Sequence, residues 1–149
     1  MYAPHTVTVY NVSENVDTLE TERKYTVLDG VFLDISKAAN VIKSGLESAD
    51  AATLFIPFGV KAYDPVSGKA RAYIEPTRYA ELPDKDDYWT LSVGDGSSGV
   101  PCFFVKGIVA EDLPYGSIRN KYDFVYDVTS VDTRDFGSAS MQHWQVGGK

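Results

Sequence analysis

The chain has 149 residues, a formal net charge of −7 and 44% hydrophobic residues, which bounds it to one globular domain with a sizeable core. An acidic balance argues against a free-standing nucleic-acid binder, since phosphate binding needs clustered Lys and Arg to displace counterions. Ten Tyr, seven Phe and two Trp lean the composition toward β structure, where aromatics pack well on a pleated surface.

In chain order, residues 5–12 alternate Thr6, Thr8 and Tyr10 with Val7 and Val9, the pattern of a strand with one buried face. Residues 13–22 are acidic, polar and aperiodic, and read as a loop. Residues 23–28 and 31–36 read as strands on either side of Asp29-Gly30, a dipeptide that favours a hairpin; the alternative is one long strand bent at Gly30 by a bulge. Residues 37–51 carry Ala, Lys and Glu but no sustained apolar stripe, and Gly45 interrupts them. They predict a long loop with at most a turn of helix, a length that usually serves function.

Residues 52–60 read as a strand with Leu54, Ile56 and Phe58 on one face, at an edge or bulged because Pro57 cannot donate a ladder hydrogen bond. A turn at 64–69 and a short strand at 71–74 follow. Residues 76–82 predict a single short helix, opened by Pro76 in its first turn and stopped by Pro83. Strands are then expected at 88–93, 101–109, 122–129 and 141–146, with residues 113–120 as loop. In the final strand Trp144 and Val146 share a face opposite Met141, His143 and Gln145. About ten short strands with turn signals between them predict a mainly β fold, an antiparallel barrel or sandwich in one domain spanning 1–149. The expected core comprises Val7, Val9, Val27, Leu54, Ile56, Phe58, Phe103, Val105, Val128 and Val131.

Signatures of chemistry are weak. Around Gly68-Lys69 a phosphate-loop pattern fails twice, with Tyr63 and Ala70 where Gly and a hydroxyl belong. The Gly-rich run at 94–99 has no following helix to aim amides at an anion. Cys102, the one cysteine, sits among Val100, Phe103 and Phe104, where a thiolate is disfavoured, so pairing it with His143 as nucleophile and base has little support. A lone cysteine makes no internal disulfide. His5, His143 and Cys102 lack metal-ligand spacing, and the acidic pairs Glu20/Glu22 and Asp84/Asp86/Asp87 lack the rhythm of a calcium loop. Asn11-Val12-Ser13 fits a glycosylation sequon, idle without a visible signal peptide. No transmembrane run appears. The expectation is no enzyme, no cofactor and no metal.

Two stretches, NVSENVDTLETERKYTVLDGVFLD near the front and DFGSASMQHWQVGGK at the end, carry a resemblance. The quoted features are Tyr10-Asn11 after an opening strand, Asp29-Gly30-Val31-Phe32, the turn Phe136-Gly137-Ser138, and His143-Trp144-x-Val146-Gly147-Gly148. Together they resemble small neck proteins of tailed bacteriophages, the head–tail connector or stopper proteins often labelled minor capsid proteins. The resemblance implies a β-barrel subunit of a homo-oligomeric ring, six- or twelve-fold, in the virion neck and made in the host cytoplasm. Portal or adaptor proteins would lie above it and tail terminator or tail tube proteins below. DNA would pass through the channel without sequence-specific binding, with no membrane involved. Under that reading Lys37, Lys43, Gly45, Glu47 and Asp50 form a gate or docking loop, and Tyr10, Phe136, His143 and Trp144 are candidate interface residues. A tail terminator ring subunit is the sibling reading. A β-sandwich binding module for carbohydrate or protein, with Trp89 and Trp144 as stacking platforms, is the rival from another class.

Overall fold

In the computed structural model, described here for residues 3–14, 20–35, 51–93 and 101–149, six antiparallel strands close on one another into a barrel. The barrel strands are β1 (His5–Glu14), β2 (Thr21–Ile35), β3 (Ala52–Pro57), β7 (Cys102–Lys106), β8 (Val125–Arg134) and β9 (His143–Gly148). They pair in the order β1-β7-β8-β9-β3-β2, and β2 returns to β1 to complete the ring. Of the two architectures left open by the spacing of strands, the barrel is the one adopted.

The expected strands at 23–28 and 31–36 are one strand, β2, bent at Gly30. Thr6 pairs with Asp29 and His5 with Val31, so Gly30 is an extra residue on β2, accommodated at φ 97. The bulge has a packing consequence. Leu28 faces the barrel interior; strict alternation from there would send Phe32 and Asp34 inward. One inserted residue instead aims Val31, Leu33 and Ile35 inward and leaves Asp34 exposed. The bend also lets β2 pair with β1 along one edge and with β3 along the other. A short strand, β4 (Lys61–Tyr63), continues that second edge beyond the break at Pro57.

The barrel interior holds Val7, Val9, Leu28, Val31, Leu54, Ile56, Cys102, Phe104, Val128, Trp144 and Val146. Each such side chain removed from water contributes about 1.5–3 kcal/mol. Of the expected core, Phe58 and Val131 are half-buried against this cluster and the rest are buried. One wall, β1-β7-β8, is buried on both faces, which explains why Cys102, Phe103, Phe104 and Val105 form an unbroken apolar run. Its outer side, Tyr10, Phe103, Val105 and Val125, is covered by residues around a helix, α2 (Tyr115–Lys121), through Val109 and Ile118.

The excursion between β4 and β7 holds a two-stranded parallel pair, β5 (Ala72–Tyr73) and β6 (Tyr88–Trp89), and helix α1 (Pro76–Glu81) between them. Pro76 opens α1 as expected; Leu82 takes extended dihedrals and Pro83 prevents continuation. Tyr79 is its one buried residue, packed on Ile74. At the end of the excursion Trp89 and Leu91 insert into the barrel core. Trp89 meets Trp144 edge-on at 5.7 Å, and Tyr73 packs on both.

The helix α2 departs from the expected loop at 113–120. Its only buried residue is Ile118, so no apolar stripe announces it. The signals that were present are Pro114 at its start and Arg119 and Lys121 in its last turn, where cations favour the helix terminus.

Candidate functional site

The one nucleophile considered from sequence is sealed in the core. Cys102 points inward from β7, fully buried, and burial pushes its thiol up to about 12 against the backbone hydrogen bond from Ser92. Its contacts are the Asn11 amide at 3.6 Å and the Thr90 carbonyl. His143 lies half-buried at the start of β9, where Nδ1 is 2.8 Å from the Met141 carbonyl and the ring packs on Phe55. The two side chains share no hydrogen bond and cannot act as a nucleophile–base pair in this fold. Asn11, fully buried, is inaccessible to a glycan in the folded chain.

The acidic residues considered for calcium are engaged elsewhere. Asp86 pairs with Lys24 at 3.2 Å and Asp87 with Lys69 at 2.6 Å. Among the described residues no group of three or more His, Cys, Asp or Glu is placed to hold a metal ion. The Lys69 turn is an ordinary surface turn in which Gly68 donates to the Asp64 carbonyl at φ 76. The Gly-rich run at 94–99 lies outside the described residues.

The most polar buried feature, Arg71, was not singled out from sequence. Its guanidinium is nearly buried at the floor of a cleft of about 250 Å³ lined by Arg23, Lys24, Tyr25, Asp64, Asp86 and Asp112. Nε donates to the Asp86 carbonyl, one terminal nitrogen to the Tyr25 carbonyl and the Thr26 hydroxyl, and the other to Asp64 at 3.1 Å. Four of its five N–H donors are committed in these hydrogen bonds, and the Asp86 carboxylate lies 3.5 Å from the nitrogen that also bonds Asp64. The cluster therefore staples the turns at 64–69 and 84–87 to β2. An isolated arginine between Ala70 and Ala72 carries no sequence signal for this, because its partners lie up to 46 residues away.

Of the candidate interface residues, two are corrected. Tyr10 is fully buried: it stacks on Phe103 at 4.6 Å and donates its hydroxyl to the Glu111 carbonyl at 2.7 Å. The residues around α2 cover it, so the element absent from the sequence reading is what removes Tyr10 from the surface. Trp144 is buried in the barrel between Trp89, Tyr73 and Phe58. Its burial, with that of Trp89, also removes both proposed carbohydrate platforms. Phe136 remains exposed, and His143, seven residues on, is half-exposed at the start of β9. The gate-loop residues Lys37, Lys43, Gly45, Glu47 and Asp50 lie outside the described residues.

Among the described residues five large hydrophobics stand in solvent, Val66, Ile108, Phe124, Phe136 and Met141. Phe136 and Met141 belong to the β8–β9 connection, a compact tip built on Gly137 at φ 84 and a 3₁₀ turn at Ala139–Met141. Phe124 precedes β8 directly, with the Lys106 ammonium 5.1 Å from its ring centre. Among the described residues no helix is long and apolar enough to cross a membrane.

The described residues form a small closed β-barrel with a sealed thiol, a buried ion-pair cluster and exposed apolar side chains. The sequence profile of a family of unknown function, DUF6751, matches residues 2–149, and the chain belongs to that family. No curated protein and no solved structure matches it.

Proposed function

We propose that the chain is a virion structural protein, a subunit of the neck ring of a tailed bacteriophage that closes the DNA-filled head below the portal and docks the tail. The observation that supports this most is where the two resembling stretches fall. Asp29-Gly30-Val31-Phe32 is the bulge that lets β2 serve both neighbours, and His143-Trp144-x-Val146-Gly147-Gly148 is β9, the strand between β8 and β3. The stretches that carry the resemblance are thus those that close this barrel, which a shared barrel fold would require. The third, Phe136-Gly137-Ser138, is an exposed apolar tip suited to a subunit contact. A net charge of −7 suits a channel past which duplex phosphates slide. A tail terminator ring would use the same features.

The test is an amber mutation in this gene in the parent phage, with particles viewed by negative-stain microscopy. Loss of the protein should yield heads that release DNA or fail to join tails, with complementation restoring infectivity. Tails without heads joined by an extended tube would move the assignment to the terminator. Normal infectious particles lacking the protein would overturn the reading.

A further inference from the structure

Among the described residues the exposed large apolar side chains other than Val66 fall at the two ends of one strand. Phe124 precedes β8, and Ile108 lies two residues beyond Lys106, whose backbone N–H donates to the Phe124 carbonyl at 3.0 Å. Phe136 lies two residues beyond the last residue of β8, and Met141 closes the same β8–β9 connection, in the 3₁₀ turn at Ala139–Met141. A strand of ten residues separates the ends by ~33 Å, so one molecule cannot bring them together. One opposite-charge pair is offered across the two ends, Lys106 at the first, beside Asp123, and Asp135 at the second. Lys106 is exposed over the Phe124 ring, and Asp135 is exposed next to Phe136; among the described residues neither has an ion-pair partner. Asp132 adds acid at the tip, although Arg134 approaches it at 3.9 Å.

We propose that the chain self-associates head to tail, the Asp135–Phe136–Met141 tip of one copy docking on the Lys106–Ile108–Phe124 patch of the next. A contact between two different surfaces of the same chain is heterologous and propagates, closing into a ring where the rotation allows. Matched charge at the contact offsets the repulsion of a chain with net charge −7. The contact gives the neck ring its subunit surface, and in that sense rests on the function proposed above.

The experiment uses the full chain with Ala110→Cys, Ser138→Cys and the double variant under mild oxidation, placing thiols beside Ile108 and Phe136 and leaving those side chains intact; buried Cys102 stays silent. The double variant should form a ladder of multimers. Each single variant alone should remain uncrosslinked, and an equimolar mixture of the two should give one heterodimer and nothing larger. Phe136→Ser should weaken self-association about tenfold or more, and Asp135→Lys combined with Lys106→Glu should restore what either loses alone. A homodimer from Ser138→Cys alone, or no ladder from the double variant, would overturn the proposal. So would Phe136→Ser leaving self-association intact while abolishing capture of portal or tail proteins. A ladder from a protein dispensable for phage assembly would remove the neck reading and keep this contact. No ladder from a protein required for joining heads to tails would do the reverse.

Discussion

The side chain of Asn11 pairs with the backbone of Thr90 as a strand would: Nδ2 donates to the Thr90 carbonyl at 2.8 Å, and Oδ1 accepts the Thr90 N–H at 3.2 Å. Asn11 points into the barrel from β1, in register with Val7 and Val9, and is fully buried. Through this amide the segment carrying Trp89 and Leu91 is seated in the barrel, 79 residues from the strand that holds it.

Replacing Asn11 by Leu strands two buried backbone groups, each costing about 1–3 kcal/mol. Asn11→Asp keeps the acceptor but loses the donor and buries a charge, so it should be worse. Urea unfolding should show the losses. Hydrogen exchange should find the Thr90 amide deprotected in Asn11→Leu, where its acceptor is gone, and protection of Thr90 in that variant would refute the seating role.

Two glycines should fail for different reasons when changed to Ala. Gly30 has φ 97 and open space around it, so the cost is conformational, about 1 kcal/mol. At Gly148 an added Cβ meets Phe104 Cζ and Tyr126 Cβ at 2.8 Å, which is overpacking worth about 1–3 kcal/mol. Phe104→Leu should recover part of the second loss and none of the first. Thermal melts of the double variants separate the two.

Arg71→Met should cost about 3 kcal/mol or more, since it leaves Asp64 beside uncompensated backbone carbonyls. Burial pushes the Asp64 carboxyl up, but the Val66 N–H, the Arg71 guanidinium and Ser67 outweigh it and hold it below its ordinary value. A hydrogen bond from Lys24 and the charges of Lys24 and Arg71 do the same for Asp86. Both groups therefore bind protons less readily folded than unfolded. Their contribution is fully present above the ordinary carboxylate value and is lost as pH falls through the depressed folded values. Stability should fall on acidification below about pH 4, and Asp64→Asn should flatten that fall. An unchanged acid slope in Asp64→Asn would exclude the linkage.

Cys102 supplies the opposite limb. Its thiol is raised from 9.0 to about 12 in the fold, so the unfolded chain ionises first as pH rises. Stability should be lost above pH 9, approaching ~1.4 kcal/mol per pH unit, with buried Tyr10 and Tyr79, also pushed up by burial, adding at higher pH. Cys102→Ala should reduce the slope just above pH 9. In the native chain the thiol should resist a thiol reagent until denaturant is added, and immediate labelling would contradict its burial.

The pattern of residues along the chain determined the β class, the inward faces of β1, β3 and β9, the start and stop of α1, and the sealed environment of Cys102. Each depends on contacts between near neighbours or on which side chains avoid water, and both are written locally. Tertiary structure alone decided that β2 runs unbroken through Asp29-Gly30, because a hairpin and a bulge use the same two residues and only β1 and β3 on either edge select between them. It also decided that Tyr10 is core and not interface, since the residues around α2 that cover it lie about 100 residues later and α2 has one buried side chain to declare itself. Arg71 and Asn11 likewise look like surface polar residues in sequence. They are buried because partners from other segments replace most of the hydrogen bonds they would otherwise make to water.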